Sequence, residues 1–381
     1  MDSIYLDNNA TTRISDEVLD AMQPYWRDHF GNPSSLHLLG QQARHAVETA
    51  REQVAALIGG VSREIVFTSG GTEADNLAIL GTLAAHPKKR HIVTTAVEHV
   101  AVHDLCRRLV KQDYRVTFVA VDSQGRLDLD ALRNSLDDDT ALVSVMHANN
   151  ETGVVFPIRE IAEITTSRGV PFHTDAVQTV GRMAFDVRSL GVSAASLSAH
   201  KIHGPKGVGA LYVGRGFRLR SQSVGGHQER DMRPGTENVP AIVGFGAAAE
   251  LARSRRESDL SKTAALRNGF EQALCERVSC ARVIGALDSR ICNTTNIAFE
   301  GLEAEAILIG LSERGLCASS GSACSSGSLE PSHVLQAMGI PDPLTRGAVR
   351  FSLSRDTTES EIDRAKEVVS EVVNKLAAFS A

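Results

Sequence analysis

Apolar and polar positions along this chain switch repeatedly between a period of two and a period near 3.6. Short apolar runs bounded by turn residues, at 91–95, 116–119, 142–146, 170–173 and 210–213, read as buried strands. Stretches with apolar residues three and four apart, at 100–111, 128–136 and 158–168, read as helices between most of them. This alternation predicts the α/β class, with a mostly parallel, helix-covered sheet whose functional groups gather at the C-terminal strand ends. Ahead of it stand a short strand at Ile4-Tyr5-Leu6, a polar turn, and a helix after Ser15 with Val18, Leu19 and Met22 on one face. An amphipathic helix over 40–58 follows, stopped by Gly59-Gly60.

The pattern changes after a long helix beginning near 240. A charged stretch at 253–259 marks a boundary, and strands near 282–284 and 295–299, a helix at 303–313 and a last helix from about 358 form a smaller α+β unit. At 381 residues the chain exceeds the size at which one core stops growing, about 250–300 residues. The expected division is a large domain over 15–255 and a small domain of 1–14 with 256–381, the latter carrying a loop at about 317–333.

Composition narrows the picture little. Hydrophobic residues at 42% and charged residues at 23% are ordinary for a globular protein, and a net charge of −6 offers no general surface for nucleic acid or anionic membrane. No apolar run reaches the ~18 residues of a spanning helix, and the start lacks a signal pattern, so a cytoplasmic location is expected. The cysteines at 106, 275, 280, 292, 317 and 324 include no pair at CxxC spacing, which argues against a structural zinc site, and the size of the chain argues against a disulfide framework.

The candidate chemistry centres on residues 196–207, Ser-Leu-Ser-Ala-His-Lys-Ile-His-Gly-Pro-Lys-Gly. Lys201 ends a small-residue, strand-like run and precedes a glycine-proline turn. Apolar packing there disfavours the ammonium form, leaving an amine able to form a Schiff base with an aldehyde. Pyridoxal phosphate is the cofactor that exploits such a lysine, and its ring nitrogen needs a carboxylate. Asp175, at the end of the 170–173 strand, supplies one, with Gln178 a turn later; the spacing 201 − 175 = 26 leaves room for one strand and its connection. Gly70-Gly71-Thr72, between a buried strand and a helix start, suits a phosphate. Other strand ends deliver His99 and Asn150. His103 lies four residues beyond His99, but no third metal ligand accompanies the pair, so His99 reads as a group at the ring. From 318 to 328 every residue but Cys324 is Gly, Ala or Ser, an unscreened setting that favours a reactive thiol. Arg350 lies within an alternating strand and could grip a substrate carboxylate. Alone, Asp175 also reads as a helix N-cap, the Gly-Gly-Thr run as a plain turn and Arg350 as a surface ion pair.

Taken together these motifs resemble the cysteine desulfurases, class V members of the fold-type I pyridoxal-phosphate enzymes. The match runs from Tyr5-Leu6-Asp7-Asn8-Asn9-Ala10-Thr11-Thr12 to Arg350-Phe351-Ser352, with 319–339 most similar to the nitrogenase-associated group. The resemblance implies removal of sulfur from L-cysteine to give L-alanine and a persulfide on Cys324. Lys201 would carry the cofactor, Asp175 pair with its ring nitrogen, and His99 stack on the ring and move protons. Asn150 and Gln178 would hydrogen-bond around the phenolic oxygen, and Gly71, Thr72, Ser198 and His200 would hold the phosphate. Thr236 would reach the phosphate of a neighbouring subunit, implying a homodimer; Pro234 beside it departs from the small residue expected. Asn150 and Arg350 would face substrate. An iron–sulphur scaffold or other acceptor would receive the sulfur, with Cys324 a transient cluster ligand. A selenocysteine lyase or class V aminotransferase is the alternative.

Overall fold

A computed structural model describes residues 3–321 and 331–380. Its strands, in chain order, are β1 (Ile4–Tyr5), β2 (Ile65–Thr68), β3 (His91–Thr95), β4 (Arg115–Val119), β5 (Thr140–Ser144), β6 (Phe172–Asp175), β7 (Ala194–Ser198), β8 (Gly209–Val213), β9 (Ala281–Ile284), β10 (Thr294–Phe299), β11 (Leu316–Cys317), β12 (Ser319–Ser320) and β13 (Ala348–Ser352).

Seven of them form one sheet in the order β2-β8-β7-β6-β5-β3-β4. Only the pairings of β8 are antiparallel, so six strands share a direction and end at the same edge. Both faces are covered, which is why β2, β3, β5, β6 and β7 read as unbroken buried runs. Successive residues nevertheless point opposite ways. Ile65, Phe67, Val93, Val143 and Tyr212 pack on one side with Val47, Val54 and Phe245 from the helices Leu38–Leu57 and Val239–Ser254. On the other side, Ile92 and Leu142 meet Ile79, Leu83 and Leu109, while Val66 and Leu211 meet Ala74 and Ala78. Those partners come from the helices Gly71–Ala85 and Val100–Val110.

The second sheet, β12-β13-β10-β9, is antiparallel throughout. It has its own core of Phe270, Phe299, Ile307, Phe351 and Val369 under the helices Arg256–Arg277, Ala304–Glu313 and Glu359–Ser380. The amino-terminal residues join this unit. β1 pairs with β11, and Asp7 bridges to Ser352.

One expectation shifts in register. The strand expected over 142–146 is Thr140–Ser144, because a uniformly buried run carries no period to set its ends. Past Ser144 the chain stays tied to β6, Val145 N to His173 O at 3.1 Å and His147 N to Asp175 O at 2.8 Å. The charged stretch 253–259 holds a break, where one helix ends at Ser254 and the next begins at Arg256.

Candidate active site

The shared edge of the parallel strands collects most of the expected residues. Lys201 closes a short 3-10 turn, Ala199–Lys201, directly after β7. Its Nζ donates to the carbonyls of Asn9 and, at 2.9 Å, Ala10. Asp175 ends β6 and is 7% exposed. Its Oδ1 accepts from Val177 N at 2.9 Å. Burial pushes its pKa up to about 6, against the opposing pull of that hydrogen bond and of the Lys201 charge.

His99 caps the helix Val100–Val110, its Nδ1 accepting from Ala101 N at 3.2 Å. An accepting Nδ1 puts the proton of the neutral ring on Nε2. Burial, reinforced by the nearby Lys201 charge, lowers its pKa to about 4, so the ring is neutral at pH 7. His200 is likewise held down to about 4, first by burial and then by the Lys201 charge, with Nδ1 3.1 Å from Thr11 Oγ1.

Asn9, a residue to which sequence reasoning gave no role, ties the group together. Its carbonyl accepts from both Lys201 and Gln178 Nε2, the latter at 3.1 Å. Its Nδ2 donates to Asn150 O at 3.0 Å and to Thr294 Oγ1 at 2.8 Å. Asn150 O also accepts from Arg350 Nη1 at 3.1 Å. The first turn of the chain therefore joins the two sheets through side chains.

A third face is built for an anion. Gly71 opens the helix Gly71–Ala85, and a Cβ there would stand 2.8 Å from Val177 Cγ2 and 3.7 Å from Ser198 Cβ, so the bare amides lie against the end of β7. Ser198 Oγ is buried with no partner among the described residues, as is Asn150 Oδ1. Thr72 is exposed in that first helical turn. Thr236 is exposed on the loop before Val239 and makes no hydrogen bond to this cluster among the described residues. Cys324 lies outside the described residues.

A family model for class V aminotransferases matches residues 4–365. The chain belongs to that family. Over 380 residues it is 54% identical to a cysteine desulfurase of Nostoc sp., covering 100% of this chain and 95% of that protein. It is 51% identical over 377 residues to the cysteine desulfurase NifS of Azotobacter vinelandii, covering 99% and 94%. Among solved structures, a NifS-like protein superposes with a TM-score of 0.93 at 37% identity, covering 98% of this chain and 100% of the other. SspA in complex with cysteine matches at 0.82 and 34% identity, covering 93% and 100%.

Enzymes of this class use pyridoxal phosphate, and the edge fits it. Bare helix-terminal amides beside an orphaned serine hydroxyl suit a phosphate, a buried carboxylate suits a cationic ring nitrogen, and Lys201 supplies an amine whose charge reaches that carboxylate. Behind them the class V site carries two further acids that the sequence did not single out. Glu98 accepts from Thr95 Oγ1 at 2.7 Å and Met146 N at 3.0 Å, and burial pushes its pKa up to about 8. Asp75, fully buried and also facing Asp175, is pushed well above the usual carboxylate range, first by burial. Asp175, at about 6, thus ionises more readily than Glu98, at about 8. Lone acids inside apolar strand ends have no sequence signature, because what identifies them is the company they keep.

Proposed function

We propose that this chain is a cysteine desulfurase that removes sulfur from L-cysteine, giving L-alanine and a persulfide on Cys324. The observation that carries the reading is the convergence of Lys201, Asp175 and a neutral His99 on one sheet edge beside the anion-ready Gly71 terminus. Bound pyridoxal phosphate supplies an electron sink for the substrate α-carbon.

The residues around it have separable tasks. Lys201 would hold the cofactor, and its free amine would carry the substrate α-proton. Asp175, ionised, pairs with the ring nitrogen. His99 covers the ring and offers its Nε2 proton. Gly71, Thr72, Ser198 and His200 hold the phosphate, Thr236 reaches it from the second subunit of a homodimer, and Gln178 and Asn150 bind the phenolic oxygen. Arg350 grips the substrate carboxylate. The Cys324 thiolate then attacks the substrate sulfur. An S–S bond forms, the C–S bond breaks with its electron pair left on Cβ, that carbon takes a proton, and Lys201 returns a proton to the α-carbon so that alanine leaves.

Residues 15–255 serve as the cofactor domain, and 1–14 with 256–381 as the domain presenting the 317–333 loop. The exposed Trp26, Phe30, Leu36 and Leu38 suit the subunit contact. No helix among the described residues is long and apolar enough to cross a membrane, and we assign the protein to the cytoplasm. The persulfide passes to an acceptor protein such as an iron–sulphur scaffold, in nitrogen fixation or general assembly, with Cys324 a transient cluster ligand; thiol-trapped pulldown should recover a scaffold bonded through Cys324.

The deciding test follows alanine and sulfide together from L-cysteine with a thiol reductant. Equal yields from wild type and almost none from Cys324→Ala, with cofactor colour kept, support the reading. Full activity in that variant would return selenocysteine lyase or aminotransferase chemistry to the front.

A further inference from the structure

Arg182 is a buried cation beside Lys201 that the tasks above leave unused. It is 9% exposed, and its guanidinium reaches only oxygens of neutral groups among the described residues. Nη1 donates to Gln178 Oε1 and, at 2.8 Å, to Asn9 Oδ1; Nη2 donates to Asn8 O at 2.9 Å and Lys201 O at 3.3 Å. Burial brings its pKa down to about 10, which still leaves it charged at pH 7. A buried charge without a counter-ion is destabilising compared with an apolar residue of similar volume, so packing alone does not account for an arginine here.

The hydrogen-bond chemistry shows what the charge does. A guanidinium can only donate, so the side-chain atom of Gln178 facing it must be the oxygen. The amide NH2 then faces the other way, toward Asn9 O, the same carbonyl that accepts from the Lys201 amine. Asn9 is oriented by the same logic. Its Oδ1 accepts from Arg182 and, at 3.1 Å, from Asn293 Nδ2, and the Asn9 NH2 is thereby turned to Asn150 O.

We propose that Arg182 is a positioning residue of the candidate site, fixing the amide orientation of Gln178 so that its NH2 edge lies toward the Lys201 amine. It does so while pinning the Lys201 turn to the 8–9 segment. The inference rests on the function proposed above. The titratable and charged groups facing Arg182 are Cys292 ahead of β10, Arg350 of β13, and His200 and His203 flanking Lys201. Asp175 faces Lys201.

The test uses the full-length protein loaded with pyridoxal phosphate and follows the pH titration of the cofactor absorbance, with melting temperature as a folding control. Wild type is compared with Arg182→Met, Gln178→Met, the double variant, Arg182→Lys, and Arg182→Lys combined with Gln178→Met. Loss of the Gln178 donor shifts such a titration by about half a pH unit or more. Arg182→Met should shift it in the same direction as Gln178→Met, and the double variant should move little beyond the larger single shift. Arg182→Lys keeps the charge but not the fork, so it should show a smaller shift that disappears in the Gln178→Met background. If Arg182→Met does not fold, this lysine comparison carries the test alone. A wild-type midpoint in the folded arginine variants, or shifts that add fully, would overturn the role of Arg182. A wild type that takes up no cofactor would instead overturn the functional reading beneath it.

Discussion

Arg350 Nη2 lies 2.8 Å from Asp7 Oδ1, while Arg350 Nε is buried without a partner among the described residues. The pair joins β13 to the polar turn after β1, and Nη1 is taken by Asn150 O. One edge of the fork is thus held in place and another is left for an incoming acceptor. If that acceptor is the substrate carboxylate, Arg350→Gln should raise KM for L-cysteine by about 10–100-fold, the range for losing a hydrogen bond to a charged group. Cofactor absorbance should be retained, since the residue is assigned to substrate. A KM unchanged in steady-state assays would count against the assignment.

Gly71 offers a steric test of the anion site. A methyl group there would stand 2.8 Å from Val177 Cγ2. Gly71→Ala should weaken cofactor retention measured by dialysis and absorbance, with about 1–3 kcal/mol of overpacking to relieve. Trimming the obstacle with Val177→Ala in the same chain should restore part of the loss.

Glu98 makes the apoprotein's stability depend on pH in a definite direction. Its carboxyl is raised from 4.5 to about 8, so between those values the native state keeps a proton that the unfolded chain has lost. Stability from the neutral form is fully present below pH 4.5 and is lost as pH rises through 8, at about 1.4 kcal/mol per unit within the window. Glu98→Gln removes that dependence. Melting curves of apoprotein should show the variant gaining on wild type from pH 5 to 8 and the gap levelling off above; a constant gap would contradict a proton held on Glu98.

His99 should add no acid limb near the ordinary imidazole range, because its pKa lies at about 4. The pH profile of kcat/KM in wild type should therefore show no break near 6.5 that vanishes in His99→Gln. The variant's kcat should fall by about 100-fold or more, as for loss of a general acid or base. A near-normal kcat would leave the ring with a packing role only.

Much of the site was readable because it sits at strand ends. Asp175, His99 and Asn150 each follow or end an apolar run bounded by turns, and Lys201 follows a run of small residues before a glycine-proline turn; parallel strands bring such ends to one edge. Asn9, Glu98, Asp75 and Arg182 were not readable in the same way. Arg182 stands four residues after Gln178, but the intervening chain is turn rather than helix, so the spacing carried no facing rule.

The sequence alone determined the class of fold and the chemical types at each strand end, because periodicity and turn residues act locally and fix which side chains are buried. Tertiary structure decided the partners. Only folding brings Asn9 of the first turn onto Lys201, Gln178 and Asn150 from distant strands, and sets three acids within reach of one another so that burial raises their pKa values. Desolvation and hydrogen-bond direction depend on every neighbour in three dimensions, and a linear pattern records only the neighbours along the chain.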